Sequence, residues 1–335
     1  MHLKGGEMRH VKTVCTLVVL GVVACFATGG KEWLKWQESL DLARPEDLDS
    51  RITAEKSIIF EGEPLLVSCS IKNITARDAT IVPRAYNRID ALFTLGTEFS
   101  MMASDGVEYW YRTNVHIDVG MSPGCERVIA PDDSIYINGI LWPDNFGEIK
   151  KLRPKRGLTT GDYLISCITW LGTKFYPKPS RCLRITSDTA EITIKGISSD
   201  DQKILSAVRP IMREFFGYGE EMDVSDSCRH IAYSLLDEIR KSDSYLAAYA
   251  DFVYISMLAY EKAKNRFDEA IVEARKFIKA HKGTILGEEM EFRLVKMFHQ
   301  REGVSKKFVE EAQRVMNKYP KNINSLELQN FLEKK

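Results

Sequence analysis

The period of the apolar residues changes once, at Ser199, and that change constrains the chain more than any other feature. Before it, the stretch PLLVSCSIKN from Pro64 to Asn73 sets Leu65, Val67, Cys69 and Ile71 on one face and Leu66, Ser68, Ser70 and Lys72 on the other. Period-two alternation predicts a half-buried strand. Further strands are expected at 79–82, 91–95, 98–103, 107–112, 134–141, 163–169, 182–185 and 190–195, a spacing that suits an all-β sandwich. Between SMMAS and VEYWY, Asp105-Gly106 predicts a two-residue hairpin with a type I′ turn. After the change, Asp200 reads as an N-cap before QKILSAV, and helices with one apolar stripe each are expected down to the C-terminus. At 335 residues the chain is too long for one typical core. The expectation is a multidomain protein, all-β over 51–198 and all-α over 199–335.

Two resemblances sharpen these halves. Phe60-Glu61-Gly62-Glu63-Pro64 leading into the strand to Asn73 resembles the opening of bacterial immunoglobulin-like domains, and Gly161-Asp162-Tyr163 is similar to their late strand. The resemblance implies an immunoglobulin-like antiparallel β-sandwich. In the second half, the turns at Lys241 to Ser244, His281 to Thr284 and Tyr319 to Asn322 recur about every forty residues. Asn265-Arg266-Phe267-Asp268-Glu269-Ala270 resembles the inter-helix turn and second helix of tetratricopeptide repeats, and Tyr319-Pro320 their closing proline. That implies a tetratricopeptide-like α-helical hairpin array whose groove takes a protein or peptide partner.

The N-terminus points to export. Arg9, His10 and Lys12 precede an apolar run from Val14 to Ala24, and Ala27, Thr28, Gly29 and Gly30 follow, the layout of a secretory signal over 1–27. The run is shorter than the ~20 residues a membrane-spanning helix needs. Val22-Val23-Ala24-Cys25 resembles the lipobox of bacterial lipoproteins, which implies a lipid anchor on Cys25; cleavage after Ala27 is the competing outcome. Residues 28–50 form a short linker or helix with Trp33, Trp36 and Leu40 on one face. The expected location is the periplasm or cell envelope.

Export makes disulfides possible. Cys69 and Cys167 fall on apolar faces of an early and a late strand and form one candidate pair; Cys125 and Cys182, in Pro-containing loop contexts, form the alternative. Aromatic residues gather in the same half, and an exposed row drawn from Tyr109, Tyr111, Trp142 and Trp170 would stack on sugar rings, so a carbohydrate ligand is the alternative to a protein partner.

Little in the chain speaks for catalysis. The histidines beyond the leader, at 116, 230, 281 and 299, lack the i, i+4 partner of a zinc helix, and there is no Gly-rich phosphate loop, Gly-x-Ser-x-Gly elbow or Cys-x-x-Cys pair. No cofactor or metal is expected, and a Cys125/His116 dyad is the remaining route to a hydrolase. With 47 basic and 47 acidic residues, no global field draws the protein to nucleic acid. A non-catalytic envelope protein serving as a protein-interaction or scaffold module is the functional expectation. Asn73-Ile74-Thr75 matches a glycosylation sequon, to which a bacterial-type leader gives little meaning.

Overall fold

The computed structural model describes residues 43–81, 96–111, 127–148, 157–171, 183–218, 226–260 and 266–333. Its strands are β1 (Leu48–Ala54), β2 (Ile58–Phe60), β3 (Leu65–Asn73), β4 (Ala79–Ile81), β5 (Gly96–Ala103), β6 (Glu108–Tyr111), β7 (Arg127–Ile129), β8 (Ser134–Leu141), β9 (Phe146–Glu148), β10 (Gly161–Leu171), β11 (Leu183–Thr186) and β12 (Ala190–Lys195). Its helices are α1 (Ser199–Tyr218), α2 (Asp226–Arg240), α3 (Ala247–Tyr260), α4 (Phe267–Ala280), α5 (Ile285–Glu302), α6 (Lys306–Lys318) and α7 (Ile323–Glu333). A small antiparallel sheet runs β1-β3-β8, and a large one runs β2-β12-β10-β5-β6-β9, with β11 also paired to β10 and β4 paired to β7 apart from both.

The alternation in β3 explains how the layers stack. Leu65, Val67, Cys69 and Ile71 point into a core shared with Ile137 of β8 and with Phe99, Met101, Ile165, Cys167, Ile192 and Ile194 of the large sheet. The other face of the small sheet is also covered. Leu66, Ile140 and Trp142 join a second core with Leu205, Val208, Met212 and Phe215 of α1 and with the interiors of α3 and α5. The small sheet is therefore the middle of three layers. Helices α3 and α5 bury almost their whole circumference, as helices inside a packed layer do, whereas α6 buries only Phe308, Ala312 and Val315 along one stripe.

This arrangement corrects the expected fold class. The chain is a mixed α/β fold, and the separation into an immunoglobulin-like β-sandwich and a tetratricopeptide-like array does not hold. The large sheet is mixed, because β2 runs parallel to β12. The second face of the small sheet is not solvated, because the helices close over it, and Ala43 to Lys335 is one compact unit. The physical reason lies in residues such as Leu66 and Ile140, which a half-exposed strand would leave in water at a cost of about 1.5–3 kcal/mol each.

Two local expectations change as well. The β5–β6 hairpin has a three-residue loop, Ser104 to Gly106, closed by the Gly106 N–H on the Ala103 carbonyl at 2.9 Å and the Ala103 N–H on the Val107 carbonyl at 2.9 Å. A type I′ turn needs positive φ at both central residues, and here only Gly106, at +80°, has it. At the start of α1 the cap is Ser198, whose hydroxyl accepts the Asp201 N–H at 3.1 Å and donates to the Asp201 carboxylate at 2.7 Å, rather than Asp200. The sequon asparagine is structural. Asn73 is wholly buried, donates to the Arg77 and Ile129 carbonyls at 2.7 and 2.8 Å, and accepts the Thr75 N–H and hydroxyl at 2.9 and 2.8 Å. No described helix is long and apolar enough to cross a membrane.

Candidate functional site

Burial decides what the singled-out aromatic residues do. Trp142 has none of its surface exposed and stacks on Phe216 of α1 with ring centroids 6.0 Å apart. Tyr111 donates its hydroxyl to the Phe216 carbonyl at 3.1 Å and accepts the Trp142 N–H at 3.3 Å, and burial pushes its pKa up to about 12. Tyr109 lies edge-on to Tyr163 at 6.3 Å against the inter-sheet core. These three side chains join layers and offer no coplanar row on which a sugar ring would stack. The side chain of Trp170 lies outside the described residues, as do Cys25, Cys125, Cys182 and His116.

Two of the described histidines lie against aromatic rings, and His230 is exposed on α2. His281 lies 4.2 Å from the Phe277 ring and its pKa is held below the usual imidazole value by burial. His299 lies between the rings of Phe308 and Phe331, at 5.1 and 5.2 Å. Among the described residues no group of three His, Cys, Asp or Glu side chains is arranged to hold a metal ion.

The seam between the small sheet and the helices is polar at residues that no sequence pattern singles out as buried. Glu63, 1% exposed, accepts the Phe60 N–H at 2.9 Å, the Lys56 ammonium at 2.6 Å and the Tyr249 hydroxyl of α3 at 3.1 Å. The Gly-Glu-Pro turn thereby binds α3, and burial beside Glu63 pushes the Tyr249 phenol well above its ordinary value. Glu288 of α5 accepts the Tyr136 hydroxyl at 2.8 Å and the Asn322 amide at 2.6 Å, and the N–H that opens α5, on Ile285, donates to Glu55 at 2.7 Å. One face of the helical layer is thus covered by the chain's own small sheet.

The surface left open is the outer face of the large sheet. Tyr163, Ile165 and Met101 point inward, so alternation sends Leu164 of β10 and Met102 of β5 outward, where they are cross-strand neighbours, 41% and 46% exposed. They floor a groove of about 520 Å³ whose lining also includes Gly106, Asp162, Glu191 and Thr193. In register, Glu191 lies beside Leu164 and Glu108 beside Met102. Asp105, between the lining residues Ser104 and Gly106, accepts the Val107 N–H at 3.0 Å at the hairpin end of this acidic rim, and the Thr193 hydroxyl donates to Asp162 at 2.7 Å, steadying one wall. None of these four carboxylates has an ion-pair partner among the described residues, although ion pairs are frequent elsewhere on the surface. The period-two pattern locates Leu164 and Met102 on the outer face; only the strand order brings them together.

No protein-family model and no curated protein matches the chain. Among solved structures, it is similar to a β-glucosidase of Erythrobacter marinus (15% identity, 44% of this chain and 15% of that one, TM-score 0.24). It is also similar to the C-terminal domain of wzt (14% identity, 45% and 75%, TM-score 0.26) and to Spo0M, a sporulation control protein of Bacillus subtilis (13% identity, 49% and 56%, TM-score 0.23). The chain spans only about a sixth of the length of the β-glucosidases it matches.

Proposed function

We propose that this chain is a non-catalytic interaction module of the cell envelope, and that it docks a cationic, apolar-anchored segment of another protein on the outer face of its large sheet. The observation that carries this reading is the exposed Met102–Leu164 pair within a rim of Asp105, Glu108, Asp162 and Glu191 that lack ion-pair partners among the described residues. Apolar side chains at the centre of a polar rim are the anatomy of a docking patch. Carboxylates without partners favour a basic ligand and speed its encounter. The seam supports a scaffold role, because Glu63, Tyr249, Glu288 and Tyr136 tie the helices to the sheets and so hold the patch on a braced layer. Delivery by the leader over 1–27, with Cys25 as the anchoring thiol, belongs to the same proposal.

Photo-crosslinking tests it. A benzoylphenylalanine placed at Met102 in the full-length protein is expected to crosslink a Lys/Arg-containing segment, in a yield that falls as salt rises. The same group at Val272, an exposed apolar residue of α4, is the control and is expected not to capture that segment. Equal labelling from both positions, or a crosslinked segment without basic residues, would overturn the proposal. Intact mass of the mature chain, compared with Cys25→Ala, reports the anchor: a diacylglyceryl mass lost in the variant supports it, and a lipid-free mass removes it.

A further inference from the structure

Two thiols are buried side by side in the inter-sheet core. Cys69 lies on β3 of the small sheet, in register with Ile52 and Ile137, and Cys167 lies on β10 of the large sheet, in register with Phe99. Both are free thiols, 1% and 0% exposed, and both belong to the same core. They meet in one core across the gap between the sheets, where the Cys167 thiol is a hydrogen-bonding neighbour of the Cys69 thiol. Each also has a hydroxyl at its back: Ser50 Oγ is 3.8 Å from the Cys69 sulfur, and Thr169 Oγ1 is 3.6 Å from that of Cys167. The hydrogen bond from Cys167 holds the Cys69 thiol below its ordinary value, and burial pushes that of Cys167 up.

We infer that Cys69 and Cys167 form a disulfide that joins the two sheets when the chain folds in contact with a donor disulfide. The exchange balances with a donor of the form R–S–S–R, such as oxidised glutathione or the active-site disulfide of an oxidoreductase. One cysteine thiolate attacks the donor and releases R–S⁻, giving a mixed disulfide. The second thiolate then attacks the cysteine sulfur of that bond and expels the other R–S⁻. The two protons lost by the cysteines end on the two released thiols. Because both sulfurs are buried, a reagent reaches them only before the sheets close, and the state acquired during folding is retained. The pair lies far apart in sequence, so the crosslink removes a large share of the freedom of the unfolded chain, and it bridges two layers that the described residues otherwise join only by packing and hydrogen bonds.

The test uses the full-length chain, unfolded and refolded in a glutathione buffer rich in the oxidised form, then denatured and alkylated without reductant. Peptide mapping is expected to find Cys69 and Cys167 linked, with the linked mass about 2 Da below that of the separate thiols and lost on reduction. Refolding in reduced glutathione is expected to give the same fold with a lower unfolding midpoint. Quantitative alkylation of both cysteines after oxidative refolding, or a link from either one to Cys125 or Cys182 instead, overturns the inference. A Cys69→Ala, Cys167→Ala variant separates packing from bonding: its midpoint is expected to be insensitive to the glutathione ratio, and a wild-type shift that persists in it would overturn the assignment.

Discussion

Burial in the seam pushes the Glu289 carboxyl up to about 8, opposed only in part by Arg293, Lys296 and the Asn138 amide and reinforced by Glu288. The residue is 3% exposed, and its Oε1 has no hydrogen-bond partner. In the unfolded chain a glutamate ionises near pH 4.3. Between that value and about 8 the folded chain therefore holds a proton the unfolded chain has lost, so stability is highest below the unfolded pKa and declines as pH rises through the folded one. Glu289→Gln removes the titrating group while keeping its volume. Urea unfolding across pH is expected to show the variant more stable than wild type at pH 8, by on the order of 4 kcal/mol, and equal to it near pH 4. Parallel wild-type and variant profiles would mean that the seam ionises without penalty. Nothing in the sequence marks Glu289: the doublet Glu288-Glu289 reads as a solvated helix face until the sheet is known to lie on it.

Single elements were legible to the extent that their signals are local. The strand over Leu65 to Asn73 follows from period two, and a helix from Ser199 follows from the change of period. What the sequence withheld was the second neighbour. Leu66 among serines looks like one stray apolar residue on a wet face, yet it is 4% exposed, because the helical layer, with α5 against β3, covers it. The loop between β2 and β3 shows the same thing from the other side. Gly62 has φ +74°, and a Cβ there would lie 2.3 Å from Leu205 Cδ1 of α1. The turn residue expected for its conformation is thus also the point where the turn touches a helix, and the Glu63 contact to Tyr249 depends on that approach. Gly62→Ala combines a strained φ with a clash, and a loss of about 2–4 kcal/mol is expected in chemical denaturation. Gly106→Ala is the control: it shares a positive φ, at +80°, but a Cβ there meets nothing within 4 Å, so its cost should be about 1 kcal/mol. Equal losses at the two sites would mean that the approach to α1 contributes nothing.

For the molecule as a whole, the question is whether sheets and helices unfold separately. A sandwich followed by an independent array would leave a seam that opens without loss to either side. The seam here contains Trp142 and Leu66 in the helical core, the Glu63 and Glu288 carboxylates bonded to partners in other elements, and Tyr245 donating to the Glu61 carbonyl at 2.8 Å. Opening it exposes apolar surface on both layers and strands buried charge, so neither layer has an intermediate state to rest in. One cooperative transition is expected. In a variant that keeps Trp142 as its sole tryptophan, urea titrations followed by its fluorescence, by helical ellipticity and by labelling of Cys69 and Cys167 under reducing conditions report the seam, the helices and the inter-sheet core respectively. Their midpoints should coincide. If the helical signal is lost first while the two thiols stay protected, the layers are separate folding units, and the two-part reading of the sequence regains its force at the level of folding even though the native fold unites them.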